Sequence, residues 1–221
     1  KKQAKEWISQ YFASIPKGTE DITKKTFEEA PITQEKRVTF EDANIQLPML
    51  VNAYRAPSRT VRDTKVLDLI SKLLSGGKSA RLQKRLVDDD KIALQTGVAI
   101  LGEEDYSPVL FYTIPLSGKT LEDVQVVIDE EVKKLQTELI SEMEFEKLRN
   151  VLENTIVRKA NSVENVAHEL ATYYTTYGNT ELINSEIEEC RTITREEIRD
   201  VARKYLNPNQ RVVVDYIPAK K

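Results

Sequence analysis

Hydrophobic positions change period along this chain, and the changes mark out its elements. Residues 1–18 open with Trp7, Ile8, Tyr11 and Phe12 at helical spacing, and Pro16 and Gly18 stop the helix. Residues 19–34 are polar, carry Pro31 and show no apolar period, which predicts a linker. Alternation returns in residues 37–41 (RVTFE), and residues 48–55 (PMLVNAYR) form a stronger apolar run, so two strands are predicted. Val66, Leu67, Ile70, Leu73 and Leu74 then share one helix face, closed by Ser75, Gly76 and Gly77. Ser79 is placed to cap a short second helix that buries Leu82 and Leu86 and ends at Asp88, Asp89 and Asp90.

Two longer strands are predicted over residues 92–101 and 107–116, joined by a turn with Gly102 and Asp105. After Gly118 the pattern is helical. Thr120–Asp123, Ser141–Glu144 and Thr194–Glu197 are Ser/Thr-x-x-acid starts, and Gly178 ends the longest helical block. Asn207, Pro208 and Asn209 form a turn into a last strand over residues 211–217. Strands joined by short turns imply antiparallel neighbours, and the helices fall together in the sequence. The fold class is therefore α+β: two layers, a mostly antiparallel sheet of about five strands with helices packed on one face.

Composition narrows the function. A net charge of −3, from 33 Lys+Arg against 36 Asp+Glu, argues against a dedicated nucleic-acid binder. No apolar run approaches the roughly 20 residues that span a bilayer. The single Cys190 excludes an intramolecular disulfide, and its acidic neighbours Glu188 and Glu189 disfavour a reactive thiolate. His168 is the one histidine. It opens His168-Glu169-Leu170-Ala171-Thr172, which follows a His-Glu-x-x-His zinc motif until Thr172 stands where the second ligand belongs. Catalytic zinc needs about three protein ligands, so this chain is expected to have no metal site, no catalytic residue and no cofactor of its own. Ser75-Gly76-Gly77-Lys78-Ser79 is not a phosphate loop: Lys72 stands where the first glycine should, and a helix precedes it rather than a strand. Tyr173, Tyr174 and Tyr177 are expected to pack between helices with their hydroxyls wet.

Several local sequences, in order and with fitting spacings, resemble the accessory, non-metal domain of the insulinase/pitrilysin family of zinc peptidases. They are residues 11–18 (YFASIPKG), 53–57 (AYRAP), 74–82 (LSGGKSARL), 194–198 (TREEI) and 202–206 (ARKYL). The resemblance implies a division into residues 1–18 as the terminal helix of a preceding domain, 19–34 as linker and 35–221 as the accessory domain. It implies zinc in a neighbouring domain of the same or a partner chain, an unfolded peptide as substrate, and a tilt towards the bacterial envelope. Family members that assist catalysis from such a domain place an Arg and, seven residues on, a Tyr at the positions of Val87 and Leu94; neither side chain here donates a hydrogen bond. The implied peptide contact is the strand Ala93, Leu94, Gln95, Thr96 and Gly97, with Gly97 admitting a close backbone and proline at Gln95 weakening peptide binding. Two readings of that strand stay open: an edge offering free amides, or an interior strand bulged at Gly97. For the whole chain the alternatives are a scaffold domain of a catalytically dead relative or an independent peptide-binding module.

Overall fold

A computed structural model describes residues 1–19 and 28–219; half of the expected linker, residues 20–27, lies outside the described residues. Five strands form one sheet in the order β1-β5-β2-β4-β3. They are β1 (Lys36–Asp42), β2 (Met49–Pro57), β3 (Ala93–Ile100), β4 (Tyr106–Pro115) and β5 (Arg211–Pro218). The pairs β2·β4, β2·β5 and β3·β4 are antiparallel, and β1·β5 is parallel. The α+β expectation holds, with one difference in topology. A short turn joins β1 to β2, yet β5 lies between them. The reason is apolarity: Val212, Val213 and Val214 fill both faces of β5, which suits an interior position, whereas β1 carries paired charges at both ends and only Val38 and Phe40 as apolar residues.

One face of the sheet carries the helices α2 (Arg62–Ser75), α3 (Leu121–Thr137), α4 (Glu142–Lys159), α5 (Val163–Tyr177), α6 (Glu186–Arg191) and α7 (Arg195–Tyr205). Leu50, Tyr54, Phe111 and Val213 point into this layer and meet Leu67, Ile70, Leu74, Ile128 and Leu206. On the opposite face Val51, Ala53, Leu110, Tyr112 and Val214 are half-buried, sheltered by one another rather than by a second layer. The first helix, α1 (Lys2–Phe12), buries nothing: Trp7, Ile8, Tyr11 and Phe12 are all exposed.

The helix starts behave as their sequences predict. Thr120 with Asp123 and Ser141 with Glu144 form complete capping boxes. Thr194 accepts from the Glu197 amide, but the Glu197 carboxylate accepts from Arg62 instead of closing the box. Gly178 caps α5 in the left-handed region at φ 67°. Ser79 does not cap: its hydroxyl accepts from Lys147, and the following turn is a π-helix, Gln83–Asp89, that buries Leu82 and Leu86 as expected. The acidic end of that turn has a partner, since Arg85 donates to Asp90 at 2.8 Å and to Glu130 at 2.8 Å.

Two charged contacts pin the layers together. Arg211, at the start of β5 and 4% exposed, donates to Asp129 of α3, to Glu35 at 2.6 Å and to the Tyr54 hydroxyl at 3.2 Å. Burial pushes the Tyr54 phenol up to about 12. Arg81 donates through Nε and Nη2 to both oxygens of Glu144, at 2.8 and 2.9 Å, holding α4 to the chain just past α2. Hydrogen bonds from Arg81, then from Ser141, hold the Glu144 carboxyl down at about 2 against the opposing effect of burial.

Two expectations follow. Arg211→Met strands Asp129 and Glu35, whose side chains are 35% and 34% exposed and partly rehydrate. The loss should fall near the low end of the range for a broken buried pair, about 3 kcal/mol, read from denaturant unfolding. Because the Glu144 pKa is depressed on folding, its stabilisation is complete above the unfolded value near 4.5 and fades as pH falls through about 2. Glu144→Gln should flatten the fall in stability across that window.

Candidate functional site

The expected peptide-contact strand lies at a sheet edge, since β3 pairs with β4 alone. Its irregularity is not at Gly97. The register shifts between Ala93 and Gln95, which leaves Leu94 as the extra residue. Gly97 has another cause. A Cβ there would lie 2.3 Å from Cζ and Oη of Tyr112, its cross-strand partner. The tyrosine ring fills the space over the glycine, an arrangement by which an aromatic side chain restores the packing that glycine lacks. The close approach at Gly97 therefore belongs to Tyr112.

Backbone direction decides what the edge offers. Leu101 N–H donates to Pro108 O at 3.0 Å, so in the alternating antiparallel ladder Leu101, Ala99, Gly97 and Gln95 turn their peptide groups towards β4. Thr96, Val98 and Ile100 turn theirs to the open side. Proline at Gln95 would thus break the ladder to β4, not the outward row. Of that row, Val98 N–H donates to Ser75 Oγ at 2.9 Å, and Ser75 Oγ is also 3.2 Å from Ser71 O. Ser75 is the last residue of α2, and the closing turn at Gly76 leaves no room for a side chain, since a Cβ there would lie 2.5 Å from Lys72 O. The chain then reverses through Gly77 at φ +115°. The glycine pair that closes the helix also lays the helix end along the strand. Thr96 is 8% exposed, its hydroxyl bonded to Thr113 at 2.9 Å. What β3 shows to solvent is its first part, with Leu94 54% exposed and Gln95 beside it, while Ala93 is buried.

The remaining candidate residues take structural places. Val87 packs on the core from the π-helix, far in character from a hydrogen-bond donor. His168 is exposed on α5, and the neighbouring Glu169 accepts from Lys159 at 3.3 Å. Among the described residues no group of three or more His, Cys, Asp or Glu side chains stands where it could hold a metal ion. Burial, then Glu186, pushes the Cys190 thiol pKa up, consistent with a packing role. Tyr173 is buried and stacks on Tyr177 at 5.2 Å, whereas Tyr174 is 67% exposed.

The comparisons with known proteins decide the affiliation. A family model described as the peptidase M16 inactive domain matches residues 1–152. The chain belongs to that family. A curated relative, the zinc protease PqqE of Helicobacter pylori, is 29% identical over 129 residues, which cover 58% of this chain and 29% of that protein. A solved protease from H. pylori superposes with a TM-score of 0.89 at 22% identity, covering 98% of this chain and 52% of that one. The M16 inactive domain from Pseudomonas fluorescens gives a TM-score of 0.76 at 17% identity, over 99% and 51% of the two chains. These two structures establish the shared fold, and the chain spans about half the length of each. The expectation of an accessory, non-metal domain of a zinc-peptidase family is met by the inactive-domain match.

If Tyr112 is what Gly97 makes room for, the two positions must be coupled. Gly97→Ala should cost about 1 kcal/mol beside Tyr112 and nothing in a Tyr112→Ala background. A thermal-unfolding double-mutant cycle measures the difference.

Proposed function

We propose that this M16 inactive domain contributes to peptide hydrolysis by position. It walls a substrate chamber, packs against a zinc-bearing domain of the same or a partner chain, and meets an extended, unfolded peptide at the solvent-facing part of β3. The observation that carries the reading is inactive-domain membership, supported by the lack, among the described residues, of any group of three or more His, Cys, Asp or Glu side chains placed to hold a metal ion. Zinc is therefore assigned to the neighbouring domain, and no chemical step runs through residues of this one. Supporting the packing role, α1 presents Trp7, Ile8, Tyr11 and Phe12 to solvent as an apolar stripe, the form expected of a helix that belongs with a preceding domain.

For the peptide, contact at Ala93, Leu94, Gln95, Thr96 and Gly97 is unequal. Leu94 and Gln95 offer exposed side chains, whereas Ala93, Thr96 and Gly97 are buried. Holding the peptide there lowers the entropy of presenting it elsewhere. A scaffold role in a catalytically dead assembly is the second reading, favoured by the same lack of metal donors. It wins if the full-length protein hydrolyses no unfolded peptide.

In the full-length protein, His168→Ala should leave peptide hydrolysis unchanged. Leu94→Glu, at an exposed position that tolerates charge, should raise KM roughly tenfold with kcat unchanged, the equivalent of about 1.4 kcal/mol of uniform binding. An unaltered KM in a folded variant removes β3 from the substrate path.

A further inference from the structure

The sheet has two edges, and they are treated differently. The β3 edge is bulged at Leu94 and met by Ser75 at Val98. Among the described residues the β1 edge meets neither a bulge nor a covering side chain, and only its charged ends, Lys36 and Arg37 with Glu41 and Asp42, guard it. Every residue from Lys36 to Glu41 is exposed, the strand pairs with β5 alone, and it contains neither proline nor a bulge. Val38 is 52% and Phe40 57% exposed. A long regular edge with free amides and apolar side chains is a template for another strand, and folded proteins ordinarily blunt such edges.

The backbone direction of β1 is fixed by its far end. Ala219 N–H donates to Asp42 O at 3.0 Å, and Asp42 is in register with Pro218 of β5. Asp42, Phe40, Val38 and Lys36 therefore turn their peptide groups to β5, and Arg37, Thr39 and Glu41 turn theirs outward. The sequence of the strand, Lys36-Arg37-Val38-Thr39-Phe40-Glu41-Asp42, is complementary to its own reverse. Laid antiparallel on a second copy and centred on Thr39, Lys36 meets Asp42, Arg37 meets Glu41, Val38 meets Phe40, and Thr39 meets Thr39. The pairs Arg37–Glu41 and Thr39–Thr39 are the ones whose amides and carbonyls face outward, so charge pairing and hydrogen-bonding parity select the same register. A shift of one residue sets outward groups against inward ones. A shift of two opposes Arg37 to Thr39 or Thr39 to Glu41 and loses the charge pairs. An in-register parallel arrangement sets like charges side by side.

We propose that β1 is a self-pairing edge, by which two copies of this chain join in an isologous two-fold dimer with one continuous sheet across both. The partner is a second copy because the strand's charge order recognises its own reverse. Arg37 keeps its bonds to Asp215, at 2.7 and 2.9 Å, on the helix side of the sheet, where Glu41 of the second copy adds a further acceptor.

Sedimentation velocity on the intact chain tests this, together with single-cysteine cross-linking made simple by the burial of Cys190. The expected result is a concentration-dependent dimer that Thr39→Pro abolishes, since that residue's N–H faces outward and the β1·β5 ladder does not use it. Under mild oxidation Thr39→Cys should link two copies, because directly opposed residues sit about 5.5 Å apart at Cα, within disulfide reach. Val38→Cys should not link to itself but should link to Phe40→Cys in a mixture of the two. A species that stays monomeric up to about 1 mM, a dimer that a folded Thr39→Pro variant retains, or cross-links in another register each overturns the proposal.

Discussion

The constraint on which this fold depends is the return of the last strand to the interior of the sheet. β5 must enter between β1 and β2, and its first residue carries a guanidinium into a buried place. Arg211 is tolerated there because every direction in which it could seek water offers an acceptor instead: Asp129 from α3, Glu35 from the approach to β1, the Tyr54 hydroxyl from β2. Those acceptors come from three separate stretches of chain. One cation thus fixes the register of β5, the entry of β1 and the height of α3 over the sheet. If β5 were displaced, β1 would lose the strand it pairs with among the described residues, and the helix layer would lose Val213 from its floor.

Position rather than side-chain reactivity accounts for the functional reading. A family of inactive domains fits a chain whose one imidazole is on a helix surface and whose one thiol is buried. The glycines of residues 73–97 have mechanical roles. Gly76 lets α2 end against the β3 edge, Gly77 turns the chain, and Gly97 receives the Tyr112 ring. None needs a ligand. This segment, which includes one of the stretches that carry the family resemblance, is therefore a device for seating a helix end on a strand.

The two edges of the sheet give the domain two kinds of boundary. At β3 a serine hydroxyl takes up an outward amide, and bulging interrupts the ladder, so contacts there fall to exposed side chains. At β1 the ladder runs unbroken and its charges read the same reversed and negated. Guarding one edge and leaving the other bare directs association to a chosen side, a distinction that hydrophobic burial alone does not make.

Much of this was legible in the sequence, where short-range rules govern. Helix starts at Thr120, Ser141 and Thr194, the stop at Gly178, the strand periods and the buried Leu82 and Leu86 depend on residues within one or two turns of each other, so composition and spacing suffice. The absence of a second metal ligand near His168 was likewise a matter of counting. What only the tertiary structure decided involves partners far apart in the chain. Ser79 was available as a cap, but Lys147 bonds it; Glu197 could have closed its box, but Arg62 reaches it first. The bulge fell at Leu94, the space over Gly97 went to Tyr112, and the outward amide of Val98 went to Ser75. The sequence by itself determined which segments are helix or strand and that His168 has no second histidine to join it, because those follow from local periodicity and residue type. The tertiary structure alone decided that β5 divides β1 from β2, and hence which edges are guarded and which are free, because sheet order is set by long-range pairing that local pattern does not encode.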